Sequence, residues 1–401
     1  MTDIRADTVD RLSGAWVTQL DGGAASRATP VVKDGVLYLT GGANVFAVDA
    51  RTGDTVWRWQ TPASDEQRVP SWQGVALSDD LVFVGLRTSE VAALRQDTGE
   101  LVWAQPVGSV PQEFGETVTT APMYAHGRVF VGVSNGDSGG QVRIVALDAA
   151  TGAVQWTFFV VPRPGEPGHE TWPQDSDHWK LGGGGVWLVG TVDPDLGMVY
   201  FSTGNPVPMF GGELRPGDNL FTASVLALDI ETGERRWHYQ VVRHDTIVAP
   251  GVPIPRVRVT PMSYSPQTGY IYAQGVAMVG LARRPADPWL SNAGGFQLTL
   301  PDPVGIIAAF DPRTGRVAWK QEVPSSLLGT SGPLTTAGDL MFRAAPDGLV
   351  EAYDARTGER LWAFQTAAAA DGATGGRAVT RPGPAVSYEL DGTQFIAVPM
   401  G

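Results

Sequence analysis

Few residue types in this chain stand at spacings that carry chemistry. There is no cysteine, which removes thiolate nucleophiles, thiolate metal sites and disulfides together. His126, His169, His178, His238 and His244 show no HExxH-type spacing, and neither a GxSxG elbow nor a GxGxxG followed by a helix occurs. His169 and His178 share the Asp-rich stretch PGHETWPQDSDHW, which reads either as a cation-binding loop or as a solvated surface loop. What remains is oxygen chemistry in turns: hydroxyls at Thr119 and Ser134, carboxylates at Asp137 and Asp245, and the amide of Asn205 in STGNP. One indole, Trp187, stands directly behind the run GGGG. Carboxylate and amide oxygens are hard ligands suited to Ca²⁺, but Asp, Asn, Ser and Thr are also ordinary turn residues, and Trp is an ordinary core residue.

The elements that must position these residues come from a repeated phrase. AVDARTGDTVW, ALRQDTGELVW, ALDAATGAVQW, ALDIETGERRW, AFDPRTGRVAW and AYDARTGERLW end at Trp57, Trp103, Trp156, Trp237, Trp319 and Trp362. Each runs an apolar strand into a Thr-Gly turn and a second strand ending in Trp, with Gly supplying the positive φ of the turn. Before each tag stands another apolar strand pair, such as TPVVKDGVLYLT or APMYAHGRVFVGV. Four strands per unit is the blade of a β-propeller. The expected fold is all-β, one propeller domain over residues 1–401, of four-stranded antiparallel blades. GAWVTQL near the N-terminus and AVSYELDGTQFIAVPM at the C-terminus are expected to combine into a composite blade. Six tagged blades and that one make seven, with eight as the alternative. TFFVVPRPGEPGHETWPQDSDHWKL, NPVPMFGGELRPGDN and ARRPADPWLSNAGGFQLTLPDP read as loop insertions around the axial opening.

Composition agrees with many short strands: 50 Gly and 30 Pro in 401 residues, without sustained helical periodicity. The formal charge of −13 opposes nucleic-acid binding, whose affinity comes mainly from Lys and Arg on phosphates. No apolar stretch is long enough to span a bilayer as a helix, and MTDIRADTVDRLSG lacks the basic start and apolar core of a secretory signal.

The tags, with LGGGGVWLVGTVDPDLGMVYFSTGNPVP, RPGDNLFTASVLALDIETGERRWHYQ and TPMSYSPQTGYIYA, resemble the pyrroloquinoline quinone (PQQ)-dependent alcohol dehydrogenases over nearly the whole chain. The resemblance implies PQQ in an axial cavity, a Ca²⁺ or lanthanide ion beside it, and a periplasmic location. It also implies a small alcohol or sugar as substrate and an external electron acceptor such as a cytochrome. By position, Trp187 matches the tryptophan on which the quinone stacks, and an indole face suits a flat tricyclic ring. Thr119 and Ser134 fall where the family binds the cofactor carboxylates, and Asp137 and Asn205 where it ligates the metal.

The pattern also breaks. In HYQVVRHDTIVAPG the family's proton-accepting Asp falls on Val248, and valine cannot act as a base. Asp245 is the candidate substitute, and it reads equally as a turn cap. Between His238 and Pro261 there is too little chain for the four-stranded blade that the family carries there, and the family's arginine near RVPSWQGVA falls on Gln73. Two functions of different class follow. One is a compact quinoprotein dehydrogenase; the other is a catalytically inactive propeller that serves as a protein-binding scaffold. A shortened or recombined chain would explain the missing blade equally well.

Overall fold

Every tag but the second, which carries Arg95 at that position, folds on its own aspartate. The Asp49 carboxylate accepts from the backbone N–H of Arg51 (2.8 Å) and of Thr52 (2.9 Å), and Gly53 N–H donates to the Asp49 carbonyl (2.9 Å). Asp148, Asp229 and Asp354 repeat the arrangement. The turn places its glycine at positive φ, 82° at Gly53 and 71° at Gly233, where a side chain would strain the backbone.

The computed structural model describes residues 3–20, 28–61, 70–109, 116–134, 140–209, 212–243, 253–259, 261–282, 296–324, 331–366 and 382–400, with backbone alone at 71, 72, 253–259, 277–282 and 296–303. Six blades form, each antiparallel and ordered as in sequence. The first runs Val31–Lys33, Val36–Gly41, Asn44–Asp49 and Thr55–Gln60; the second begins at Pro70 and the third at Met123. The fourth is Thr191–Asp193, Met198–Ser202, Ser224–Asp229 and Arg235–Gln240, and the sixth spans Leu334 to Gln365. The fifth is built on Tyr270–Ala282, Phe296–Phe310 and Val317–Val323, and both Ser263–Ser265 and Pro253–Val259 pair with its first long strand, making five strands. Among the described residues Pro253–Val259 is the one strand between the fourth blade and Ser263–Ser265. No helix among them is long and apolar enough to cross a membrane.

Blades are joined by tryptophan. Trp103 Nε1 donates to the Ala149 carbonyl (3.1 Å), Trp156 to Ile230 (3.2 Å) and Trp319 to Ala355 (2.9 Å). Each indole lies over the tag glycine of the following blade: a Cβ added at Gly152, Gly233 or Gly358 would fall 2.7, 2.5 or 2.7 Å from the ring. The absent side chain is therefore the seat of the ring.

Two compact units make up the chain. One holds Trp59–Ile254 and Gly280–Leu298, hence blades two to four; apolar clusters join its blades through Phe83, Val131 and Leu147, and through Phe130, Trp156, Val199 and Leu228. The other holds Met1–Arg58, Pro255–Val279 and Thr299–Gly401, with the first and sixth blades. In it Tyr272, Trp319, Met341 and Tyr353 pack together, while Leu37, Phe46 and Tyr388 form a cluster that Trp16, Leu20 and Phe395 adjoin.

Two expectations are corrected. The expected seventh blade does not form, because GAWVTQL adds no strand to the C-terminal pair Val386–Leu390 and Thr393–Ala397, which stays two-stranded. Its contribution is made by side chains. Trp16 Nε1 donates to the Ala50 carbonyl (3.2 Å), which also accepts from the Tyr388 hydroxyl (2.7 Å), and the Trp16 ring covers Gly53 as a tag tryptophan would. The FQLTLPDP segment, expected as loop, belongs to the strand Phe296–Phe310, which lies against the long strand Tyr270–Ala282. Residues 157–181 are a loop beyond Phe159, carrying two short 3₁₀ turns at His169–Thr171 and His178–Leu181.

Gly233 and Gly269 share positive φ, 71° and 72°, but only Gly233 lies under an indole. Gly233→Ala is expected to cost about 2–4 kcal/mol in denaturant unfolding and Gly269→Ala about 1 kcal/mol; equal losses would discount the ring. A second expectation concerns acid. Arg236, bonded to the Asp229 carboxylate at 2.7 Å, holds that carboxyl at about 2, helped by the Thr232 N–H. A depressed carboxyl stabilises the fold above its ordinary value and loses that contribution as pH falls through the folded one. Asp229→Asn should therefore melt below the native protein at neutral pH, with the difference shrinking between about pH 4 and about pH 2. Melting curves across that range would refute this by showing a constant difference.

Candidate functional site

Within the run Gly182–Gly185, positions 182 to 184 leave no room for a side chain. Gly184 N–H donates to the Asn205 carbonyl (2.8 Å), Gly204 N–H to Gly185 (2.9 Å) and Val207 N–H to Gly182 (2.9 Å), so LGGGG lies zipped to STGNPV. A Cβ on Gly183 would stand 2.7 Å from the Asn205 carbonyl oxygen, and one on Gly184 2.5 Å from Val160. Both also have positive φ, 87° and 78°. The next residue, Val186, is fully buried and donates its N–H to Val133 in the third blade (3.4 Å). It fits there because position 132 is glycine, where a Cβ would come within 2.2 Å of the Val186 side chain.

These contacts present Trp187. Its side chain is 47% exposed, against 8% for the docking Trp156 in the same unit. Gly204 lies beside its indole nitrogen, at 3.5 Å from a built Cβ, and Gln73 donates from Nε2 to its carbonyl (2.7 Å). The neighbouring segment carries hydroxyls. Ser134 exchanges backbone bonds with Thr117, and its Oγ meets Thr119 Oγ1 at 3.1 Å. A buried ion pair holds that segment in place: Glu116 accepts from Arg143 Nη2 at 2.7 Å and from Ser109 N–H at 2.6 Å. Thr117 Oγ1 is buried without a hydrogen-bond partner among the described residues. Asn205, partly buried, donates from Nδ2 to the Pro206 carbonyl (3.1 Å), a bond that uses the amide nitrogen and not Oδ1.

Backbone bonds thus tie together the segments that carry Ser134, Trp187 and Asn205, and a hydroxyl pair adds Thr119 to Ser134. Asp137, His244, Asp245 and Val248 lie outside the described residues. Among the described residues no three His, Asp or Glu side chains gather as a metal site, and His169 turns its Nδ1 to the Pro162 carbonyl (2.9 Å). A hollow of about 300 Å³ beside Arg143, Phe159 and Arg163 contains none of the candidates. Gln73, Thr117 and Gly132 are site residues with no sequence signal of their own beyond the family position that falls on Gln73. Their partners are distant in the chain.

Residues 1–247 match the family model of the glucose/ethanol/alcohol dehydrogenase β-propeller domain. The chain belongs to the PQQ-dependent alcohol dehydrogenase propeller family. Residues 286–397 match the model of the outer membrane protein assembly factor BamB. Quinoprotein alcohol dehydrogenase PedH of Pseudomonas putida is 28% identical over 516 aligned positions, covering 99% of this chain and 83% of that protein. The crystal structure of quinohemoprotein alcohol dehydrogenase from Comamonas testosteroni superposes with a TM-score of 0.83 at 26% identity, over 99% of this chain and 73% of that one. A europium-containing methanol dehydrogenase shares the fold at 21% identity, with a TM-score of 0.81 over 99% of this chain and 86% of that one. The alignment with PedH is longer than the 401 residues here, so that relative carries segments this chain lacks.

The family implies PQQ and a metal ion, and the described residues fit the quinone. A bare indole face, a paired hydroxyl and an orphaned threonine hydroxyl match a flat ring bearing carboxylates. For the metal, they offer the free Oδ1 of Asn205 as a hard oxygen. Since Trp187 is half-exposed where Trp156 is buried, Trp187→Ala should leave unfolding stability within about 0.5 kcal/mol of native, and Trp156→Ala should cost about 3–5 kcal/mol. Urea denaturation of the two variants measures this, and a large loss at Trp187 would make it a core residue.

Proposed function

We propose that this chain is one PQQ-binding propeller domain of the quinoprotein dehydrogenase type, acting on a small alcohol or sugar and passing electrons to an external acceptor such as a cytochrome. The observation that carries this reading is the exposed Trp187 on its glycine seam, flanked by the bonded hydroxyls of Thr119 and Ser134. Bound PQQ supplies a two-electron acceptor for the carbinol hydride. Trp187 provides the plane on which the ring lies, with Gly204 leaving its edge clear. Thr117, Thr119 and Ser134 donate to ring carboxylates, and Gln73 fixes the Trp187 main chain. Asn205 Oδ1 and the Asp137 carboxylate are the oxygen ligands for Ca²⁺ or a lanthanide. The periplasm is the compartment that this reading favours.

Proton removal is the weak point of the chain. Val248 at the usual base position accepts no proton, and Asp245 is the nearest carboxylate in sequence. That valine favours a second reading, in which the propeller binds cofactor poorly or not at all and serves as a protein-binding scaffold. The match of residues 286–397 to an assembly-factor model points the same way.

Titrating the protein with PQQ, with Ca²⁺ and then La³⁺ present, while following tryptophan emission, separates the two. Saturable, metal-dependent quenching at micromolar PQQ that disappears in Trp187→Ala is expected. No quenching would leave the scaffold reading in its place.

A further inference from the structure

Because the tag repeats, the third and fourth blades can be matched residue by residue. Val145 and Leu147 pair with Thr157 and Val154 in the third blade, as Leu226 and Leu228 pair with His238 and Arg235 in the fourth. In the fourth blade a ring occupies this place. Phe221 lies edge-on to the His238 imidazole at 4.7 Å, has the Arg235 guanidinium over it at 4.2 Å, and joins one apolar cluster with Leu226 and Leu228. By the same matching Phe221 falls on Gly140, which carries no side chain. The place is accordingly a hollow of about 300 Å³, walled by Val145, Val154 and Thr157 and by Pro106 and Val107 at the end of the second blade. All of these residues belong to one compact unit.

The remaining walls are cationic. Arg163 stacks its guanidinium over Phe159, with Cζ 3.5 Å from the ring centroid, and makes no side-chain hydrogen bond or ion pair among the described residues. Arg143 stands 5.1 Å from the centroid of the same ring. Its Nε donates to the Gln141 carbonyl (2.9 Å) and its Nη2 to Ser109 (3.0 Å) and Glu116 (2.7 Å), which leaves Nη1 over. Glu116 neutralises one of these two arginines, so the hollow keeps a positive charge in a chain whose formal charge is −13. Stacking on Phe159 also holds the Arg163 fork in one plane, the arrangement suited to a two-oxygen acceptor.

We infer that this hollow binds a small aromatic carboxylate. The ligand's ring takes the place that Phe221 fills in the fourth blade, against Val145, Val154 and Pro106. Its carboxylate is bonded by the Arg163 guanidinium and by Arg143 Nη1. The volume lies at the lower end of small-molecule sites, which suits a single ring with one charged group. None of these residues belongs to the candidate quinone floor, so the site is a second one and does not depend on that reading.

The probe is para-fluorobenzoate, titrated into the full chain and followed by fluorine NMR. Saturable binding with a dissociation constant below about 1 mM is expected. The neutral para-fluorobenzamide should not bind, because the guanidiniums recognise the carboxylate. Arg163→Gln should raise the dissociation constant at least about 10-fold. Thr157→Phe, which puts a ring of the chain's own into the hollow, should abolish binding with both arginines in place. Thr157 and Arg163 are exposed, so both variants should keep the native melting temperature, whereas Arg143 is left unchanged because its loss would strand the buried Glu116 carboxylate. Trp187→Ala should bind the probe as the native chain does. Binding weaker than about 1 mM overturns the inference, as does equal binding of the amide or binding unchanged in Arg163→Gln or Thr157→Phe. Loss of binding in Trp187→Ala would place the probe on the quinone floor instead, and displacement by equimolar inorganic phosphate would reduce the hollow to a plain anion site; either result also overturns it.

Discussion

An indole resting on a bare glycine turn, with its N–H given to a carbonyl in that turn, is the contact on which the architecture depends. Hydrogen-bonded ladders run within each blade, and the blades are held to one another by side chains. The contact fixes several residue types together. The aspartate closes the turn through its carboxylate, the glycine takes the positive φ, and the same missing Cβ makes room for the ring. A side chain at that glycine would therefore fail twice, in the backbone and against the tryptophan. This is why the tag repeats so exactly in type at Gly152, Gly233 and Gly358 while the residues between Asp and Thr vary freely.

The candidate site uses the same device for another end. At Gly132 and along Gly182–Gly185, missing side chains let two backbones approach closely enough to bond, and the result is a stiff strip that ends in an uncovered indole. Trp156 and Trp187 are the same residue with opposite fates. Trp156 has a following blade to cover it, whereas Trp187 projects past a glycine that offers it no cover. Rigidity beneath an exposed ring is what a binding floor requires, since the ordering cost is met in folding and not at the moment of binding. The Glu116–Arg143 pair has a comparable part: buried, mutually satisfied and bonded to Ser109, it immobilises the segment that presents Thr117 and Thr119.

What could be read in the sequence was whatever is local. The Asp–Thr–Gly turns, the strand pairs before them and the loop after Phe159 follow from neighbours within a few residues, and the structure keeps them. GAWVTQL was composed like a strand, but its role is carried by one indole landing 34 residues away on Ala50, a contact that periodicity does not encode. FQLTLPDP looked like loop because of its prolines. The extended strand opposite it, Tyr270–Ala282, decided otherwise, through pairing that no local pattern displays. At the site, the family resemblance pointed to Trp187, Thr119, Ser134 and Asn205, yet Gln73 reaches Trp187 across 114 residues of chain and was seen only as a departure from an arginine.

The carbonyl of Ala50 takes both the indole of Trp16 and the hydroxyl of Tyr388. The Tyr388 hydroxyl stands 338 residues beyond Ala50, so the first blade's turn is fully bonded only once chain that far along has been made. Joining segments so far apart is slow, and until it happens the apolar face around Leu37 and Phe46 stays open to other molecules. For a chain of this design, the hazard of aggregation falls during production, before the fold is closed, and its first blade is where a chaperone would find work.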